Sequence, residues 1–132
     1  MTILISNKSD QPIYEQIKDQ IKREVLSGNL KNGAELPSIR KLAQELQVSV
    51  ITTKRAYDDL EQEGFIESVG GKGTFISDQK EEFLKEKKMS KIEEILSEAV
   101  HLAKEYKVNE NDLIEILKIL YTEEYHGKNS GN

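Results

Sequence analysis

The chain has 132 residues, 19 Lys+Arg against 24 Asp+Glu for a net charge of −5, and 36% apolar residues. That is enough for one ordinary domain or two small ones, and the apolar residues recur along the whole length, which excludes wholesale disorder. No apolar run approaches the ~20 residues that span a bilayer, the start MTILISNKSD lacks the basic and apolar regions of a secretory signal, and zero cysteines exclude disulfides, thiolate nucleophiles and Cys-ligated metals.

In chain order, Ile3-Leu4-Ile5 is a short strand or an apolar arm. Pro12 suits the first position of a helix, where its missing N–H costs nothing. Ile13, Ile17, Ile21 and Val25, with Tyr14 and Leu26 beside them, then lay one apolar stripe on a helix over 12–27 that Gly28 and Asn29 end. Residues 30–37 read as a loop with turn chemistry at Asn32-Gly33. Ser38 caps a second helix with Ile39, Leu42, Ala43 and Leu46 on its apolar face. At roughly nine residues it is too short to stand alone. Gln47-Val48 is a tight turn. Ser49 caps a third helix over about 50–63, with Thr53, Ala56, Tyr57 and Leu60 inward and Gly64 closing it. Residues 65–69 and 74–77 are β-prone and flank Gly70-Gly71-Lys72-Gly73, the pattern of a hairpin.

From Asp78 the composition changes. Residues 79–88 (QKEEFLKEKK) are charged, helical or linker-like, and Ser90 with Glu93 has the S-x-x-E form of a capping box. The helix predicted after it carries Ile92, Ile95, Leu96, Ala99, Val100, Leu102, Ala103 and Tyr106. Lys107-Val108-Asn109 is a turn with Asn109 as cap. A last helix carries Leu113, Ile114, Ile116, Leu117, Ile119, Leu120 and Tyr121, and the tail HGKNSGN frays. No internal repeat is present.

Three helices followed by a hairpin is the order of a winged helix-turn-helix. The fold class expected is therefore mainly α with a small β component: a winged helix-turn-helix domain over 1–78 and a short helical dimerisation hairpin over 79–132. In a helix-turn-helix the second helix presents its N-terminal residues to base edges in the DNA major groove. Here those are Val50, Ile51, Thr52 and Lys54, with Ser49 and Arg55 at the margin. Thr52 can bond a base or a phosphate, Lys54 can donate to guanine or phosphate, and the apolar Val50 and Ile51 suit thymine methyls. Arg40 is placed to clamp a phosphate or guanine near Ser38, and both helix starts offer backbone N–H groups to phosphate. Gly71 and Lys72 at the hairpin tip can approach a minor groove or its phosphates; a tight turn with a solvated lysine is the plainer reading of the tip alone. Total charge does not oppose this. Residues 1–79 carry 10 basic and 12 acidic residues and 80–132 carry 9 and 12, but within 38–55 Arg40, Lys41, Lys54 and Arg55 face only Glu45, a local +3. Local potential governs once the Debye length is ~8 Å.

The motifs Gly33-x-x-Leu36-Pro37-Ser38-x-Arg40-x-Leu42-Ala43, Leu46-x-Val48-Ser49, Ala56-Tyr57-x-x-Leu60-Glu61-x-Glu63-Gly64 and Gly71-Lys72-Gly73-Thr74-Phe75 resemble, in order and spacing, the GntR family of bacterial transcription regulators. The run from Pro12 to Ile17 and the short C-terminal part resemble its YtrA-type subfamily. The resemblance covers residues 10–77. It implies that Arg40, Thr52, Lys54 and Gly71 lie at the DNA, that the protein is a dimer, and that it controls a neighbouring transporter operon, with a small-molecule effector a family property. Val50 stands where the family often places arginine, so base preference is not carried over there. The roughly 55 residues after Ser77 are too few for the family's larger effector-binding domains.

The apolar positions of the last helix form a stripe wider than one partner covers. A second copy of the chain closes it most simply, through Ile95, Leu96, Leu113, Ile116, Leu117, Leu120 and Tyr121; packing back onto the winged domain is the other way to cover it. His101 and His126 lie far apart, and no HExxH, EF-hand, GxSxG, Walker A or GxGxxG motif occurs. No catalytic residue, metal or cofactor is therefore expected. His101 reads as a residue at the edge of an apolar face, Tyr106, Tyr121 and Tyr125 as core or rim aromatics rather than an effector cavity, and Glu81-Glu82, Glu93-Glu94 and Glu123-Glu124 as solvated faces. The chain reads as a cytoplasmic, sequence-specific DNA-binding regulator, a repressor on a palindromic operator, not an enzyme. Its rivals are a winged helix that binds only protein, suggested by the −5 charge, and, far behind, a small hydrolase suggested by the paired carboxylates.

Overall fold

The computed structural model describes residues 1–124, so Tyr125, His126 and the tail lie outside the described residues. Two compact units divide at Lys87/Lys88. The first contains α1 (Ile13–Leu26), β1 (Glu35–Leu36), α2 (Ile39–Leu46), α3 (Val50–Gln62), β2 (Ile66–Val69) and β3 (Gly73–Ile76). Its core joins the stripes foreseen on α1 and α3: Ile17, Ile21, Ala56 and Leu60 are wholly buried, with Phe65 and Ile76 closing the sheet side. Pro12 is the N-cap of α1, one residue ahead of the expected position, and its carbonyl accepts from Glu15 and Gln16. Ile3 to Ser6 form an arm. Gln20 exchanges two side-chain hydrogen bonds with the backbone of Leu4 (2.9 and 2.7 Å), Gln16 does the same with Ser6 (2.8 and 3.0 Å), and Ile3 is buried. The two glutamines, one helical turn apart, replace the partner strand the arm lacks.

Residues 30–37 are not wholly loop. Glu35 and Leu36 pair antiparallel with Phe75 and Thr74, making β1 the third strand of a sheet ordered β1-β3-β2. The partner lies about 40 residues along the chain, which is why no local pattern announces it.

The α2–α3 turn works as its sequence suggests. Gln47 takes a left-handed conformation (φ 57°), the Val48 amide bonds back to the Ala43 carbonyl, and the Ser49 hydroxyl accepts from the Thr52 amide. That is a left-handed helix end followed at once by an N-cap.

α4 runs unbroken from Glu81 to Glu105. The capping box expected at Ser90 and Glu93 is therefore not formed: Ser90 lies inside the helix. Residues 80–88 hold no Gly or Pro and are rich in Glu and Lys, strong helix formers, and a mid-helix serine costs only tenths of a kcal/mol. Phe83 and Leu84, in the first turns of α4, pack on the core of the first unit, Phe83 edge-on to Phe65 with ring centroids 5.6 Å apart.

The second unit holds the remainder of α4 and α5 (Glu110–Ile119), followed by a π-helical turn at Leu120–Glu124 that carries Leu120 and Tyr121. The α4–α5 turn repeats the α2–α3 device: Lys107 is left-handed (φ 59°), the Val108 amide bonds to the Ala103 carbonyl, and Asn109 caps α5. No residue of α4 or α5 is buried. No helix among the described residues is long and apolar enough to cross a membrane.

Candidate nucleic-acid interface

The buried side of α3 is Thr53, Ala56, Tyr57 and Leu60. At 100° per residue, Ile51 points almost opposite that stripe, with Asp58 and Arg55 within about 40° of it and Lys54 within about 70°. Ser38, Arg40, Ser49, Val50, Ile51, Lys54, Arg55, Gly71 and Lys72 are all exposed and Thr52 is half-buried. Thr53 is wholly buried, its hydroxyl donating to the Ser49 carbonyl at 3.1 Å, so the helix start is held from inside as well as by its cap.

The helix starts differ in charge. α1 has Glu15 in its first turn, α4 has Glu81 and Glu82, and α5 has Glu110 and Asp112. Neither α2 nor α3 has an acidic residue there. Both are capped by a neutral serine, Ser38 accepting from the Lys41 amide at 3.1 Å and Ser49 from the Thr52 amide at 3.0 Å. No carboxylate in either first turn offsets the partial positive charge at these two helix ends. Arg40 stands in the first turn of α2 and Lys54 in the second turn of α3.

Three side chains are held in ways the sequence reading missed. The Lys54 ammonium bonds Asp58 at 2.6 Å, a pair visible in the sequence as an i,i+4 spacing. The Arg55 guanidinium lies 3.7 Å from the ring centre of Tyr14 on α1, a contact across 41 residues that no local signal announces. The Ser49 hydroxyl donates to Thr52 Oγ1 at 2.7 Å while accepting from the Thr52 amide, so Ser49 is held by Thr52 at both its proton and its oxygen.

At the hairpin, Val69 pairs with Gly73 and the Lys72 amide bonds the Val69 carbonyl, leaving Gly70 to Lys72 as the tip. Gly71 (φ +75°) and Gly73 (φ +125°) occupy backbone conformations that side chains rarely adopt, and a Cβ at Gly73 would stand 3.2 Å from Glu35 Oε2. Glu61, near the end of α3, accepts from the Ser68 amide of β2 at 3.0 Å and so ties the wing to that helix.

Tyr57 anchors the α2–α3 pair: its hydroxyl donates to the Pro37 carbonyl at 2.7 Å, and burial, with the Glu45 charge adding, pushes its pKa well above the ordinary value. Behind the face, Lys18 on α1 bonds Glu63 at 2.8 Å and Asp59 at 3.4 Å, and Lys22 bonds Glu63. Burial alone would raise the Glu63 pKa, but the hydrogen bonds and charges of Lys18 and Lys22 outweigh it and hold the carboxyl below its usual value.

In the second unit, Ile95, Leu96, Ile116, Leu117, Leu120 and Tyr121 are exposed and Leu113 is half-buried. His101, Tyr106 and Tyr121 are exposed. Among the described residues, no three His, Asp or Glu side chains gather as a metal site.

Comparison with known proteins places the winged unit in a family. The family described as "Bacterial regulatory proteins, gntR family" matches residues 13–76. The HTH-type transcriptional repressor YtrA of Bacillus subtilis is 43% identical over 98 residues, 74% of this chain and 75% of that protein. A crystal structure of a transcriptional antiterminator from Listeria monocytogenes matches with TM-score 0.72 at 33% identity, over 92% of this chain and 91% of that one. The DNA-binding domain of AraR, solved in complex with operator ORX1, matches at 29% identity with TM-score 0.51, over 58% of this chain and 96% of that one.

Proposed function

This chain belongs to the GntR family and is a DNA-binding transcriptional regulator of that family; from that premise we propose that it is a cytoplasmic repressor that binds a palindromic operator as a homodimer. The observation that carries the reading is the pair of helix starts at Ser38 and Ser49. They are the two α-helix starts in the winged unit that carry no carboxylate, and they are flanked by exposed Arg40 and Lys54. Oriented amides and local cations bind phosphate.

In this reading the first turns of α3, from Ser49 to Arg55, enter the major groove. Arg40 and the Ser38 end of α2 grip the flanking backbone, and Gly71 and Lys72 brace the adjoining groove. The resemblance to AraR, crystallised on its operator, supports that placement. Arg55, stacked on Tyr14, presents its remaining edge toward a phosphate.

A second copy covers the apolar face of the C-terminal unit. Met89, Ile92, Leu96, Ala99, Ala103 and Tyr106 follow alternating spacings of three and four, the seam of a coiled coil, and each is exposed or only half-buried. Ile95, Leu113, Ile116, Leu117, Leu120 and Tyr121 widen the face to what two antiparallel partners need. Occupancy of the operator blocks the promoter; a small molecule that alters the spacing of the two winged units would release it, and the target in this reading is a neighbouring transporter operon, as the YtrA-type motifs of the sequence imply.

Selection of duplexes from a random pool by the full-length protein tests the reading. It predicts enrichment of an inverted repeat whose half-sites lie about one helical turn, ~34 Å, apart. A pool without enrichment at low salt would instead favour a winged helix that binds only protein.

A further inference from the structure

We propose that the recognition helix reads thymine 5-methyl groups through Ile51 and Val50, so that each operator half-site carries thymine beneath them; the inference rests on the regulator reading above. Ile51 is 82% exposed, the most exposed large apolar side chain among the described residues, and Val50 beside it is 47% exposed. Leaving apolar surface in water is unfavourable, and no described residue of the winged unit covers it. Ile51 also stands at the centre of the outward face of α3, diametrically across the helix from its buried stripe.

The polar groups around it stand toward the rim of the face and are held by neighbours rather than aimed at its centre. The Ser49 hydroxyl donates to Thr52 Oγ1 at the helix margin, the Lys54 ammonium rests on Asp58, and the Arg55 guanidinium lies on the Tyr14 ring. The centre of the face therefore offers methyl and methylene groups where a guanine reader would offer a forked donor. In the major groove the one apolar feature of the four bases is the thymine 5-methyl. Packing Ile51 against it removes apolar surface from water on both sides.

The test uses the duplex selected by the full-length protein, resynthesised with deoxyuridine replacing one thymidine at a time, which deletes the methyl and keeps the base pair. Wild type, Ile51→Ala and Val50→Ala are titrated against each duplex by fluorescence anisotropy. The expected result is that one or two thymines per half-site lose about fourfold in affinity on methyl deletion, the worth of burying one methyl group. Ile51→Ala or Val50→Ala then binds methylated and demethylated duplexes equally. Both side chains are exposed, so an unchanged thermal melt verifies that the variants fold. The inference is overturned if no thymine shows the effect while the duplex is still bound, or if the loss is the same in wild type and both variants, which would place the methyl effect in DNA shape. Failure to enrich any duplex would sink the regulator reading itself, and this inference with it.

Discussion

Lys54 and Asp58 stand one turn apart on the outward face of α3, their side chains 61% and 56% exposed. An exposed i,i+4 pair contributes only about 0.3–0.5 kcal/mol, so a phosphate can displace Asp58 from Lys54 easily. The carboxylate nevertheless repels the DNA backbone wherever it stays near it. Asp58→Asn is therefore expected to strengthen duplex binding several-fold, selected and unselected sequences alike, with no change in thermal melt. Anisotropy titrations on both kinds of duplex check this. A variant that weakens only the selected duplex would mean that Asp58 accepts from a base instead. Neither this pair nor the Arg55–Tyr14 stack was foreseen. The first could have been read from spacing, but the second depends on α1 and α3 crossing, which the sequence of neither helix states.

Among the elements, what the sequence made legible was local. Ser38, Ser49 and Asn109 sit as caps where a serine or asparagine precedes an apolar period, and the buried stripes of α1 and α3 follow from their spacing. Strand β1 was hidden because two residues have no period of their own and acquire strand geometry only from β3. The Ser90 capping box failed for the opposite reason: its local signal was correct in form, but the helix formers on both sides, anchored at Phe83 and Leu84, carried the helix through it. The exposure of Arg40, Lys54 and Lys72 agreed with the pattern, since each falls off an apolar stripe or at a turn.

The α1–α3 crossing that fixes the recognition helix has a pH signature. The folded Glu63 carboxyl titrates below its ordinary value of 4.5, so its contribution is present above that pH and disappears as pH falls through the folded value. On Lys18, burial lowers the pKa, but the combined pull of Glu63 and Asp59 raises it above 10.5, so that contribution persists until strongly alkaline pH. Glu63→Gln should lower the urea midpoint at neutral pH, and the gap to wild type should close only as pH falls through the lowered folded value of Glu63, below which both lack the charge. Denaturation curves across that range test it, and a constant gap between the two proteins at every pH would show that the ion pairs do not stabilise the crossing.

At the scale of the whole molecule, a unit with no buried side chain among its described residues does not account for its own helices. Fourteen of the exposed large apolar residues lie between Met89 and Tyr121, and burying them at about 25 cal/mol per Å² is the strongest drive to association the chain displays. Leu117→Asp places an unpaired charge in that face and should yield monomers by sedimentation velocity, while the winged unit keeps its melt. A dimer that survives the substitution would move the interface elsewhere. The central claim, that the α2 and α3 starts hold double-stranded DNA, is tested most directly by titrating wild type, Arg40→Ala and Lys54→Ala against the selected duplex over a series of salt concentrations. The account predicts a steep loss of wild-type affinity with salt, a weakening of about 1–3 kcal/mol for each variant, and a salt slope reduced by about one where the lost side chain met a phosphate. Three superimposable curves would contradict it.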